Sequence, residues 1–127
     1  MKKYVFIFIA LLIAGKVGWD YLGSPDFQAY ADKHNVSWTC RVNTFVGNFQ
    51  IVMSNYDDAL KMFEPVVKRC PKTEMAEEAE FKVAECLERS GHRADAIDAY
   101  LKFAEDHKTS RRAFIASQAA NALNMSR

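Results

Sequence analysis

The chain is short and nearly neutral, with 127 residues and a formal net charge of +1. This length limits it to one small domain, and the charge gives no general attraction to nucleic acid. The three cysteines form no C-x-x-C pair, so we expect no metal site. A nucleophile–base pattern and a glycine-rich phosphate loop are also missing from the sequence, so we expect neither catalysis nor a cofactor.

The N-terminal stretch is basic and then strongly apolar. Lys2 and Lys3 precede an apolar run over residues 4–15, which Lys16 interrupts. We favour an uncleaved membrane anchor over residues 1–22, in which Lys16 reaches the interface. The alternative is the apolar core of a cleaved secretory signal peptide. Both place the rest of the chain outside the cytoplasm, because the two lysines hold the start inside.

Residues 23–39 are predicted to form a linker that contains one short helix. Ser24 is a suitable N-cap and Pro25 a suitable first helical residue. We expect this helix to end near Lys33. It would connect the apolar segment to the rest of the chain.

Residues 40–127 contain one helix-turn-helix pattern written twice. Small and bulky residues recur in the first copy at Gly47, Ala59, Phe63, Val66 and Pro71. They recur 37 residues later, at identical spacings, at Ala84, Ala96, Tyr100, Phe103 and Lys108. Stacked helical hairpins produce such repetition. We therefore predict an all-α fold, an α-α superhelix of about two and a half repeats, preceded by an N-terminal hydrophobic helix.

The repeats are predicted to cover residues 40–73 and 77–110. A single helix over residues 111–127 has no partner, and we expect it to cap the open face of the last repeat. Thr73 is the predicted N-cap of one helix, and Ser90-Gly91 is a predicted helix end.

The first predicted repeat helix has two notable features. Its apolar positions recur at helical spacing, at Val42, Phe45, Val46, Phe49 and Val52. Gly47 lies inside that helix, where it costs about 1 kcal/mol relative to alanine. A helix accepts that cost when another backbone approaches closely, so we expect a close backbone contact there.

The repeat resembles the tetratricopeptide repeat, whose pattern is W-x-x-L-G-x-x-Y, then A-x-x-x-F, then P. The first copy reads Asn43-x-x-Val46-Gly47-x-x-Gln50, then Ala59-x-x-x-Phe63, then Pro71. The second copy reads Glu80-x-x-Val83-Ala84-x-x-Leu87, then Ala96-x-x-x-Tyr100, then Lys108. The inner small and large positions match, whereas the first and last positions depart from the pattern.

The repeat length and the segment between the copies resemble those of tetratricopeptide proteins of the bacterial envelope. That group includes the outer-membrane assembly lipoprotein and the cell-division coordinator that works with Tol-Pal. The resemblance implies a scaffold that binds a protein or peptide partner, located in the inner membrane with a periplasmic domain, or in the periplasm after cleavage. Leu12-Ile13-Ala14-Gly15 looks like a lipoprotein box, but Lys16 follows where the lipidated cysteine would stand.

The resemblance further implies that the first helix of each pair lines a concave binding surface. The matching residues are Arg41, Thr44, Asn48, Ile51, Glu78, Phe81, Lys82, Glu85, Glu88, Ser117, Gln118 and Asn121. Phe81 is either an exposed anchor for the partner or a residue that packs on the cap helix. An alternative function is self-association of the repeats into a homo-oligomer.

The cysteines and histidines have simpler interpretations. Cys40 and Cys70 stand at the start of the first helix and the end of the second, which meet in an antiparallel hairpin. A disulfide between them suits a compartment outside the cytoplasm, and two unpaired thiols are the alternative. Cys86 is predicted to be a core residue. The histidines at 34, 92 and 107 are predicted to be solvated residues at helix ends.

Overall fold

A computed structural model of the protein describes residues 2–34 and 38–126. These residues form seven α-helices and no strand, which confirms the all-α prediction. The chain divides into two compact units, residues 1–35 and residues 36–127. Each unit has its own helices.

The first unit contains α1 (Lys2–Leu22) and α2 (Pro25–His34). None of the 21 residues of α1 is buried. The helix is about 32 Å long, and the hydrocarbon core of a bilayer is about 30 Å thick. Its length and composition allow it to cross a membrane, and a secretory signal sequence meets the same criterion. The predicted N-terminal apolar helix is therefore present. It fits both a membrane anchor and a secretory signal sequence.

The corner between α1 and α2 is fixed by local hydrogen bonds. The Ser24 hydroxyl accepts a hydrogen bond from the Phe27 N–H (3.3 Å) and donates one to the Tyr21 carbonyl (2.6 Å). The buried Phe27 ring packs on Tyr21, with 5.5 Å between the ring centroids. The prediction that Ser24 caps α2 is confirmed.

The second unit contains the other five helices. They are α3 (Trp38–Val52), α4 (Tyr56–Arg69), α5 (Glu74–Arg89), α6 (Arg93–Asp106) and α7 (Arg111–Met125). Each helix packs against the next one along the chain, and α3 also contacts α5. Five helices in the predicted order are thus joined by short turns.

The predicted helix boundaries depend on a few capping residues. The Thr73 hydroxyl accepts a hydrogen bond from the Ala76 N–H at 3.1 Å, which confirms Thr73 as the N-cap of α5. Ser90 is the C-cap of the same helix, and Gly91 follows with a φ of +87°. A left-handed residue at this position is a common way to end a helix, and glycine adopts it without strain.

Two clusters of buried residues form the core of the second unit. The first surrounds Phe63 and includes Cys40, Ala59, Val66, Cys70, Ala79 and Cys86. The second surrounds Phe103 and includes Ala84, Tyr100, Ala116 and Ala120. Phe63 and Tyr100 occupy equivalent positions of the two sequence copies, and both rings are buried. The repeated pattern therefore identifies positions that carry the packing in both halves.

Helix α3 turns its small and polar side inward. Cys40, Asn43 and Gly47 are buried, whereas Phe45 is 68% exposed and Val52 79% exposed. Phe49 is exposed as well. Of the five predicted apolar positions, Val46 is buried and Val42 half-buried, whereas the other three are exposed, so the apolar spacing marks the buried face of this helix only in part.

The reason lies in the way that Phe63 of α4 meets α3. A Cβ atom added at Gly47 would lie 2.7 Å from Cζ of Phe63, so the glycine leaves room for the ring. The prediction of a close backbone contact at Gly47 is wrong, because an aromatic side chain makes the close approach. A large ring from α4 fills the space that side chains of α3 would otherwise occupy.

We expect Gly47→Ala to lower the free energy of unfolding by about 1–3 kcal/mol, because the added methyl overpacks the site. Helix propensity alone would have the opposite effect, because it favours alanine over glycine by about 1 kcal/mol. Urea unfolding followed by circular dichroism measures the change.

The matched control is the same substitution in a Phe63→Leu background. Leucine removes the ring atoms nearest to position 47, so the cost of Gly47→Ala should shrink there. An equal cost in both backgrounds would contradict this account of the glycine.

Candidate functional site

The residues of the predicted binding surface lie on three neighbouring helices. Four are on α3, five are on α5 and three are on α7, and each of them retains some solvent exposure. Helix α5 contacts α3 directly. It also shares the second core cluster with α7, through Ala84 on one side and Ala116 and Ala120 on the other. The structure therefore brings the three groups together, with α5 between the other two helices.

The α3 part of this surface combines two free polar groups with two residues that serve the fold. Arg41 and Asn48 make no side-chain hydrogen bond within the described part of the chain. The Thr44 hydroxyl donates to the Cys40 carbonyl at 2.8 Å, and Ile51 packs against the first core cluster. Arg41 and Asn48 are thus the unpaired polar residues of the α3 part.

The α5 part carries most of the charge. Lys82 and Glu85 form an ion pair with 2.9 Å between Nζ and Oε2. Glu88 accepts a hydrogen bond from the Tyr100 hydroxyl at 2.7 Å. Glu78 has no such partner among the described residues. Glu78 is therefore an unpaired carboxylate on the α5 part of the surface.

The hydrogen bond between Tyr100 and Glu88 favours the protonated form of the Tyr100 phenol. Burial and the hydrogen bond raise the pKa of Tyr100 well above its usual range. The Tyr100 phenol therefore stays protonated at physiological pH and can donate its hydrogen bond. This contact ties α5 to α6 behind the surface.

Phe81 packs against the second core cluster. Its ring meets Tyr100 and Phe103 edge to face, with centroid distances of 5.9 and 5.5 Å. The ring is half-buried among residues of the second core cluster. Of the two interpretations, packing describes Phe81 better than a free anchor, and the aromatic contacts are with α6. The part that remains exposed still contributes an apolar spot to a polar surface.

The α7 part of the surface is polar and uncharged, with Ser117, Gln118 and Asn121. Helix α7 is held in place from both ends. At its start, the Ser110 hydroxyl donates to the Glu77 carboxylate of α5. At its end, the Arg93 guanidinium donates to the Leu123 carbonyl and to the Ser126 hydroxyl.

The two histidines of the second unit differ from each other. His92 is an exposed residue at the start of α6, where its Nδ1 lies 2.9 Å from the Ser90 hydroxyl. His107 is half-buried, and its Nε2 lies 2.7 Å from Oε2 of Glu80. The prediction of solvated residues at helix ends holds for His92 but not for His107, and the side chain of His34 lies outside the described residues. No group of metal ligands occurs among the residues that the structure describes.

A cleft of 310 Å³ lies between α4, α5 and α6. Glu80 and Val83 line it from the side of α5 that is turned away from Glu78 and Glu85. Lys102 and Asp106 line it from α6. No sequence motif indicates this cleft, because its residues come from three helices.

The cysteines fall into two classes. Cys40 and Cys70 form a disulfide that joins α3 to the C-cap of α4, with 6.7 Å between their Cα atoms. Cys86 is a buried free thiol. Burial, together with the charge of Glu85, raises the pKa of the Cys86 thiol to about 11, so it stays protonated at neutral pH. Its role is packing in the first core cluster.

Comparisons of the chain with protein-family models, with curated proteins and with solved structures found no match. The likeness to tetratricopeptide repeats therefore rests on the residues of this chain alone. The described residues establish an all-helical protein with one apolar N-terminal helix.

Proposed function

We propose that this protein is a membrane-anchored tetratricopeptide-repeat scaffold of the bacterial cell envelope, which binds a protein or peptide partner and catalyses no reaction. The observation that carries the proposal is the surface formed by α3, α5 and α7. It presents unpaired polar groups, Arg41 and Asn48 on α3 and Glu78 on α5, and these two helices pack side by side.

The size of this surface limits the partner. Packed helices lie about 8–10 Å apart, so three of them span roughly 20 Å between the outer axes. That width accommodates a short peptide or one face of a helix. A partner with a cationic residue opposite Glu78 and an acidic residue opposite Arg41 would match the charges.

Two features support a location outside the cytoplasm. A disulfide between Cys40 and Cys70 persists in an oxidising compartment such as the periplasm. Lys2 and Lys3 precede the apolar helix α1, and positive residues favour the cytoplasmic side. An anchor with a periplasmic helical unit satisfies both features, and a cleaved periplasmic form is the alternative.

The intact mass of the protein recovered from cell membranes tests this location. An anchored periplasmic protein should retain residues 1–22, and it should be lighter than the reduced form by two hydrogen atoms. A reduced protein, with or without residues 1–22, would count against the periplasmic location.

Site-specific photo-crosslinking of the full chain in its own cells tests the binding surface. A photoreactive residue at position 41 or 78 should give a crosslinked protein product. The matched control is position 105, because Glu105 is also exposed but lies on α6.

Charge reversal then tests whether the contact is specific. Arg41→Glu and Glu78→Lys should each reduce the product, whereas Glu105→Lys should leave it unchanged. Equal crosslinking from position 105, or products that neither reversal affects, would contradict the proposed binding surface.

Self-association is a second candidate function, and one specific observation favours it. The outer side of α3 carries exposed apolar residues that the predicted binding surface does not use.

A further inference from the structure

The cleft between α4, α5 and α6 has an apolar floor. We call it the α4–α6 cleft, and its volume is 310 Å³. Its apolar lining residues are Val67, Val83, Ala99 and Phe103. Phe103 is buried and the other three are half-buried, so they leave apolar surface open to an occupant. Clefts of about 300–1,000 Å³ with an apolar lining and a few polar groups are typical small-molecule sites.

Charged side chains surround this floor. Glu64 comes from α4, Glu80 from α5, and Lys102 and Asp106 from α6. Three of them, Glu64, Lys102 and Asp106, are exposed and make no ion pair or side-chain hydrogen bond within the described part of the chain. Three carboxylates and one ammonium group give the lining a net charge of two negative charges.

Glu80 differs from the other two carboxylates, because it already has a partner. Its Oε2 lies 2.7 Å from Nε2 of His107. A neutral imidazole leaves the charge of Glu80 in place, and a protonated imidazole balances it. In the second case Glu64 and Asp106 still outnumber Lys102. The lining is therefore negative in both protonation states of His107.

The carboxylates of the cleft do not converge on one point. No group of three metal-ligating side chains that could hold an ion occurs among the residues that the structure describes. Glu64 and Asp106 belong to different helices, and the same cleft contains apolar surface. Two separate negative charges are matched best by two separate positive charges. A ligand with an apolar stem between two cationic groups meets this requirement.

We propose that the α4–α6 cleft binds a short aliphatic diamine, whose stem lies on the apolar floor and whose ammonium groups face Glu64 and Asp106. Alkyl ammonium groups stay protonated at neutral pH, so the ligand carries the two positive charges that the lining lacks. Lysine side chains behave in the same way at protein surfaces, with the stem on apolar groups and the ammonium group in water. The bound ligand would connect α4 to α6.

A free diamine suits the cleft better than a lysine side chain of another protein. The walls are helices, whose backbone groups are paired within each helix, so they offer no edge to the main chain of a peptide. One lysine side chain also has one charge, which matches only one of the two unpaired carboxylates. The cleft lies on the side of α5 that is turned away from Glu78, so this proposal and the proposed binding surface can fail separately.

Titration of the full chain in detergent with cadaverine, a diamine with a five-carbon stem, tests the site. The methyl resonances of Val67, Val83 and Ala99 report occupancy in NMR spectra, and the methyl of Ala122, which is exposed on α7, is the reference. A ligand this small is limited to a dissociation constant on the order of 1 mM. Cadaverine should shift the three cleft methyls to saturation and leave Ala122 unchanged.

Three probes with the same five-carbon stem separate the contribution of charge from that of the stem. Pentylamine has one cationic group and should bind about threefold more weakly, the usual effect of losing one exposed ion pair. Pentanediol has none and should bind about tenfold more weakly. Pimelate has two carboxylates, so it should not bind. All titrations are made at one ionic strength, because salt screens exposed charges.

Substitutions in the rim test the assigned contacts. Glu64→Gln and Asp106→Asn should each raise the dissociation constant of cadaverine about threefold, and the double variant about tenfold. Lys102→Gln removes a repulsive charge, so it should lower the constant. The matched control is Glu105→Gln, which changes the same charge on α6 outside the cleft and should have no effect. Continued protection of the Cys86 thiol verifies that each variant is folded.

Three outcomes overturn the diamine site. One is pentylamine that binds as tightly as cadaverine, which means that the ligand does not use both carboxylates. Another is an equal loss of binding in Glu105→Gln, which identifies a general attraction of cations to the surface. The third is a protein product from a photoreactive residue at position 102 of the full chain in its own cells, which identifies a protein as the occupant.

Discussion

Replacing Phe63 with alanine should lower the free energy of unfolding by about 3–5 kcal/mol, the usual cost of removing a buried aromatic side chain. The ring is fully buried at the centre of the first core cluster. It occupies the space that Gly47 leaves in α3. Because the disulfide ties α3 to α4 at one end, the two helices cannot close fully around the cavity.

Urea unfolding of the full chain in detergent measures this loss, with the reactivity of the Cys86 thiol as the signal of unfolding. The control is Phe114→Ala, because Phe114 is 67% exposed. A substitution at the surface should change the stability by less than about 0.5 kcal/mol. A Phe63→Ala variant as stable as Phe114→Ala would show that the ring does not support the core.

Removing the disulfide should lower the free energy of unfolding by almost as much as removing the Phe63 ring. The bridge spans a sequence separation of 30 residues, and closing a loop of that size in the unfolded chain corresponds to about 3–4 kcal/mol. The double variant Cys40→Ala with Cys70→Ala should therefore unfold at a clearly lower urea concentration. Both positions are buried, so the loss of the sulfur atoms adds to the effect.

A reductant provides the matched control for this prediction. It should destabilise the natural chain by a similar amount and leave the double variant unchanged. If the reductant had no effect on the natural chain, the two thiols would not be joined in the protein as it is made.

Much of the fold could be predicted because its signals are local. Thr73 and Ser90-Gly91 mark the two ends of α5, since a hydroxyl cap and a left-handed glycine act on their own backbone neighbours. The spacing shared by Phe63 and Tyr100 identifies two buried rings, because equivalent positions of a repeat face equivalent partners. Such features need no knowledge of how distant helices pack.

The orientation of α3 could not be predicted in this way. Its bulky residues and its small residues both recur at helical spacing, so the period does not tell which side is buried. The side is decided by Phe63, which comes from another helix and requires Gly47 opposite it. Phe81 presents the same difficulty, because its burial depends on Tyr100 and Phe103. The likeness to a repeat family identifies equivalent positions along the chain. Whether a side chain at such a position is exposed depends on the packing between helices.

The disulfide also makes the two ends of the helical unit differ in how firmly they are held. One end of the row of helices is covalently closed, whereas α7 at the other end is held by side-chain contacts and by the packing of alanines such as Ala116 and Ala120. In a row of repeats each element depends on its neighbours, and terminal elements open at the lowest free energy. Opening should therefore begin at α7 and stop before the closed hairpin. The C-terminal part of the unit should therefore be able to open while the disulfide keeps α3 and α4 paired.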